Sequence, residues 1–148
     1  MFRYANVTVM VSDLERAVQF YTRTLGLSLK NRYGNEFAEV EAPGLTIGLH
    51  PSIEHGPSPG RSESLSIGLG VEDLDKAMNE LRNRGVQFLP NVIEDGALRI
   101  AYFTDPDNNP LYLAQMRQWP SQIATVTITA AKTVLISKPM NSRLIIVW

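Results

Sequence analysis

Val11-Ser12-Asp13-Leu14-Glu15-Arg16-Ala17 returns sixty residues later as Val71-Glu72-Asp73-Leu74-Asp75-Lys76-Ala77. Four of the seven positions are identical and two more keep their charge, so one supersecondary unit is used twice. The residues before each copy alternate with the period of a half-buried strand. In 4–11, Val7, Val9 and Val11 oppose Asn6, Thr8 and Met10; in 64–71, Leu65, Ile67, Leu69 and Val71 oppose Ser66, Gly68 and Gly70. Within each copy the spacing turns helical. Ser12 or Asp13 can cap a first helix striped by Leu14, Ala17, Val18 and Tyr21 and closed by Gly26. A second helix runs from Asp73 to about Asn83 and closes at Gly85.

Three β-prone stretches follow each helix: 27–33, 36–42 and 45–50, then 86–91, 98–104 and 110–116. The fold class is therefore α+β, with two tandem βαβββ units at 1–50 and 64–116 whose sheets carry helices on one side. Between them, 51–63 holds three Pro and two Gly, the composition of a linker or lid loop. The domain so defined is 1–116. Residues 117–148 break the pattern with two β-prone runs, 123–129 and 132–137, and contain no acidic residue. They read either as a hairpin covering an edge or interface, or as an appended tail of shifted-frame or read-through origin. Left uncovered, such apolar runs invite aggregation.

Composition narrows the function classes. With 148 residues, 44% hydrophobic and 20% charged, the chain suits one globular domain. A net charge of -1 gives no reason to expect nucleic acid or an anionic membrane as partner. The absence of Cys excludes disulfides, thiolate catalysis and sulfur metal ligands. Neither a signal peptide nor a membrane-length apolar run is apparent, so a cytoplasmic location is the expectation.

The face turned away from the helices carries small or polar residues: Asn6, Thr8, Met10; Thr46, Gly48, His50; Ser66, Gly68, Gly70; Tyr112, Ala114, Met116. Five of these twelve are Gly, Ala or Ser, too small to fill a core, which leaves either a ligand cleft or a space filled by loops or a second subunit. His50 can act as a general base, a lone metal ligand or a polar ligand contact, or simply end a strand half exposed.

Ala101-Tyr102-Phe103-Thr104-Asp105-Pro106-Asp107-Asn108-Asn109-Pro110-Leu111-Tyr112-Leu113 resembles the aromatic-x-Asp-Pro-Asp-Gly-Asn-x-x-Glu-Leu signature of the vicinal oxygen chelate superfamily, which includes glyoxalases, bleomycin-resistance proteins and dioxygenases. Tyr21 and Leu25-Gly26-Leu27 also match, and the resemblance covers about residues 4–116. Its metalloenzymes take one ligand from each of four strands, at positions held here by Asn6, Gly48, Ser66 and Tyr112. An amide, a hydrogen, a hydroxyl and a phenol are not the imidazole and carboxylate that divalent metals want. The resemblance thus implies a protein without metal or other cofactor, holding a small, flat, aromatic molecule among Asn6, Thr8, Thr46, His50, Ser66, Tyr102 and Tyr112. It also implies that the two units form concave half-barrel sheets with the helices outside, and that the protein is a homodimer. The alternative is a lyase or isomerase with an unorthodox site at His50 and Glu39, with or without a metal, Glu39 holding or polarising His50.

Overall fold

The structure, a computed structural model, describes residues 1, 3, 5–54, 57–60 and 64–116. Its order is β1 (Val7–Val11), α1 (Leu14–Gln19), β2 (Ser28–Tyr33), β3 (Phe37–Ala42), β4 (Leu45–Pro51), then β5 (Ile67–Gly70), α2 (Leu74–Asn83), β6 (Ile93–Asp95), β7 (Leu98–Thr104) and β8 (Pro110–Met116). The strands form two four-stranded sheets, ordered β1-β4-β3-β2 and β5-β8-β7-β6. In each the first strand runs parallel to the last and the remaining pairs are antiparallel. These are two βαβββ units with open sheets, not closed barrels.

The repeated heptad does the same work in both. Asp13 accepts from Arg16 N–H and Asp73 from Lys76 N–H, each at 2.9 Å, so the shared aspartate is the N-cap twice. Leu14 and Leu74 follow it into the core. Around them Val11, Tyr21, Val40, Ile47 and Leu49 in one unit, and Met78, Phe103, Leu111 and Leu113 in the other, are buried. Each such side chain contributes about 1.5–3 kcal/mol of burial, which makes the helix-to-sheet interface the main store of stability.

Three boundaries differ from the sequence expectation. The first helix does not run uniformly to Gly26: after Gln19 it widens into a π-helical stretch, Phe20–Thr24, with Leu25 N–H bonded to the Phe20 carbonyl at 2.9 Å. The strand expected at 86–91 is reduced to a bridge between Phe88 and Phe103 and a bond from Leu89 N–H to the Tyr102 carbonyl. Pro90 then has no N–H to give, and pairing resumes only at Ile93. Finally, β5 starts at Ile67, leaving Leu65 72% exposed instead of in the core row. The expected runs at 123–129 and 132–137 lie outside the described residues.

Candidate functional site

In the first unit Glu39 stands opposite Gly48 in the β3–β4 register, and Thr8 opposite Gly48 in the β1–β4 register. Gly48 is there because nothing larger fits: a Cβ would come within 2.8 Å of the Phe37 ring and 3.2 Å of Thr8 Oγ1. Phe37 thus lies across β4, with its ring centroid 6.1 Å from that of Tyr33, roughly parallel, and 6.1 Å from that of His50. Asn31 Nδ2 donates to Glu39 Oε2 at 2.6 Å, and Lys30 Nζ donates to Thr46 Oγ1 at 3.4 Å. Lys30 sits where the β2–β3 register slips, between Leu29 and Asn31, a local bulge that changes its direction.

His50 is half-buried, and its Nδ1 lies 2.7 Å from the Pro51 carbonyl. A carbonyl only accepts, so Nδ1 carries the proton and Nε2 is left as an acceptor in the neutral ring. Glu39 and His50 are brought onto one face but not into contact, since Glu39 bonds Asn31 and His50 bonds Pro51. The expected Glu39–His50 couple is not formed.

In the second unit Tyr112 stands opposite both Gly68 and Tyr102. A Cβ on Gly68 would fall 2.3 Å from the Tyr112 ring, so the phenol lies flat over β5. The Tyr102 and Tyr112 centroids are 5.6 Å apart. Between the units a cavity of about 620 Å³ is lined by Thr8 and Met10 from β1, Ser66 and Gly68 beside or on β5, and Asn109 and Pro110. The rings themselves do not line it; its walls meet them through Thr8, which stands opposite Gly48, and through Gly68, which underlies Tyr112. A larger one, about 860 Å³, lies between Leu25, Leu27 and Pro43 of the first unit and β5 and α2 of the second. None of the residues expected to bind ligand lines it.

Of those expected residues, Thr8 and Ser66 line the smaller cavity, and Tyr102 with Tyr112 forms one ring pair. His50 and Thr46 belong to the Phe37 face, and Asn6 is exposed just before β1. Phe37, Tyr33 and Asn31 were not among the expected residues. The alternation of 36–42 places Phe37 with Glu39 and carried the signal.

The four positions that the resemblance assigns to a metal do not fit one. Residue 48 has no side chain and the Phe37 ring covers its place, while the Tyr112 ring is laid on Gly68. Asn6 and Ser66 are exposed at or before strand starts. Among the described residues no three His, Asp or Glu side chains converge.

The Asp-Pro-Asp-Asn-Asn turn has a different task. Asp105 is 3% exposed and its carboxylate accepts from Asp107 N–H, Asn109 N–H, Asn109 Nδ2 and Tyr21 Oη of the first unit. Burial pushes Asp105 above the usual carboxylate range, although these donors pull the other way. Tyr21 is pushed far above the ordinary phenol range by burial first, then by the Asp105 charge. Asp107 accepts from Ser12 N–H at 3.0 Å, from Ser12 Oγ and from Arg16 Nη2, and Asn109 Nδ2 reaches the Met10 carbonyl. The turn therefore fastens the second unit to β1 and the start of α1. Asn108 adopts φ 65° where the signature has Gly.

Residues 3–113 match the Glyoxalase/Bleomycin resistance protein/Dioxygenase superfamily, and the chain belongs to it. A solved superfamily member from Sphaerobacter thermophilus is 31% identical, with a TM-score of 0.64 over 77% of this chain and 98% of that one. TnmS3, an antibiotic binding protein from Streptomyces sp. CB03234, is 30% identical, with a TM-score of 0.60 over 78% and 99%. An uncharacterized protein of Mycolicibacterium smegmatis is 30% identical over 71% of this chain and 86% of its own. A probable lactoylglutathione lyase of Vibrio cholerae also matches, at 27% over 78% and 92%. The chain spans about half the length of the plant lactoylglutathione lyases it matches.

Proposed function

We propose that this protein binds a small aromatic molecule without a metal, between the ring set of Tyr33, Phe37 and His50 and the pair Tyr102 and Tyr112. The observation that carries this reading is the glycine under each set. Gly48 and Gly68 let aromatic rings lie where the superfamily's metalloenzymes put ligands. Flat rings beside a cavity of about 620 Å³ suit a flat ligand. The likeness to an antibiotic binding protein supports a binding role. Ser66 and Thr8 supply hydroxyls at the cavity, and Thr46 and Asn6 supply polar groups near its rim. A thermal-shift screen of aromatic compounds tests it, because a ligand at a hundred times its Kd raises stability by about 2.7 kcal/mol. Failure of every compound to move the transition counts against the reading.

The second reading is a lyase or isomerase acting through His50. It is favoured by the Nε2 lone pair that the Pro51 carbonyl leaves free, and by the lyase relatives. Turnover of any substrate that survives His50→Ala removes it. We further infer a cytoplasmic homodimer, which sedimentation and cell fractionation test. Among the described residues, no helix is long and apolar enough to cross a membrane.

A further inference from the structure

Resting on that binding role, we propose that the ligand is a ring system bearing O–H or N–H donors, read by Glu39 and His50 from an aromatic shelf formed by Tyr33 and Phe37. The shelf is built of three rings in a row, at 6.1 Å steps from Tyr33 to Phe37 to His50. It runs across β2, β3 and β4, with Tyr33 opposite Phe37, and Gly48 gives it room by having no Cβ to strike Phe37. A ring laid on Phe37 has polar groups on both flanks. Glu39, opposite Gly48, has one oxygen engaged by Asn31 at 2.6 Å, which orients the carboxylate and leaves the other oxygen as an acceptor. In the neutral ring His50 has its Nδ1 proton committed to Pro51, and Nε2 is then also an acceptor. A carboxylate and a neutral imidazole so engaged both want a proton from the ligand. A hydroxylated or amino-substituted aromatic satisfies them; its methyl ether leaves both unpaired.

The test is calorimetric titration of the intact protein with 2-naphthol and 2-methoxynaphthalene, repeated on Glu39→Val and His50→Leu. A hydrogen bond to a charged group discriminates by about ten-fold or more in affinity. The proposal expects 2-naphthol to bind about ten-fold tighter than the ether, and the gap to shrink to about three-fold or less in at least one variant. Equal binding of both probes, or a gap that persists in both variants, overturns the donor requirement while leaving an aromatic site. Binding of neither probe overturns the aromatic cleft itself, and this inference with it. Either variant suffices if the other fails to fold.

Discussion

Gly48 and Gly68 are the residues whose replacement is most informative. Gly68→Ala would drive a methyl to 2.3 Å from the Tyr112 ring, so overpacking should cost about 1–3 kcal/mol. Adding Tyr112→Ala removes the obstacle, and the double variant should be more stable than the two single costs sum to, measured as a double-mutant cycle in urea. Tyr21 offers a pH-dependent check. Its pKa is raised in the folded state, so its contribution is complete below the unfolded phenol value and is lost as pH rises. Above pH of about 10 the unfolded chain gives up a proton that the folded chain keeps, and stability should fall by about 1.4 kcal/mol per pH unit from this group. Tyr21→Phe should cost about 1–3 kcal/mol at neutral pH and make the alkaline decline shallower, as read by urea midpoints from pH 8 to about 11. An unchanged alkaline slope would mean the buried phenol is not the cause. At this scale the sequence was partly readable. The small residues of the helix-free face were visible as alternation, but what lies on a glycine depends on the rotamer of a residue on the neighbouring strand. Phe37 over Gly48 is that kind of fact.

The elements are where local chemistry spoke most clearly. Asp13, one of two candidate caps with Ser12, and Asp73, the expected start of the second helix, both cap in the structure with the same 2.9 Å bond. Replacing either with Ala should cost about 1 kcal/mol, and the two costs should add, since the caps share no partner. Charge ties helices to strands as well. Arg32 pairs with Glu15 and Arg99 forks between Asp75 and Glu94. The Arg32 bond holds Glu15, and the Arg99 bond holds Asp75, below the usual carboxylate range. A lowered folded pKa stabilises above the unfolded value and is lost as pH falls through the folded one, so acid should weaken both attachments below roughly pH 4. The double variant Glu15→Gln, Asp75→Asn should show a shallower loss of stability between roughly pH 5 and 3 by circular dichroism. What the pattern did not reveal was the break near Pro90. Apolar periodicity in 86–91 looks like a strand, yet a residue without N–H cannot continue a ladder, and β6 forms later. The π-helical stretch was equally hidden, because Tyr21 belongs to the apolar stripe in either winding.

Across the whole molecule, two open sheets are tied together by one turn and by a bond from Arg84 to the Thr24 carbonyl. Its motif suggested a family and, through the family, chemistry; the structure gives it a fastening role. Asp105 takes four donors and Asp107 takes Ser12 and Arg16, a residue pair the second heptad replaces with Glu72 and Lys76. The repeat is thus legible as two copies, but positions at which the copies differ carry part of the link between them. We propose that residues 1–116 suffice as the folded domain; a chain ending at Met116 should keep its unfolding midpoint, and a large drop would give the extension a structural role.

The central claim is binding without metal. Its most direct measurement is calorimetric titration of an aromatic hit, such as 2-naphthol, into chelator-dialysed protein whose metal content has been checked by mass spectrometry. The account predicts binding unchanged by dialysis, and weakened about ten-fold or more by Phe37→Ala or Tyr112→Ala, given the stabilisation that aromatic contacts supply. Binding that disappears on dialysis and returns with added divalent metal would contradict it.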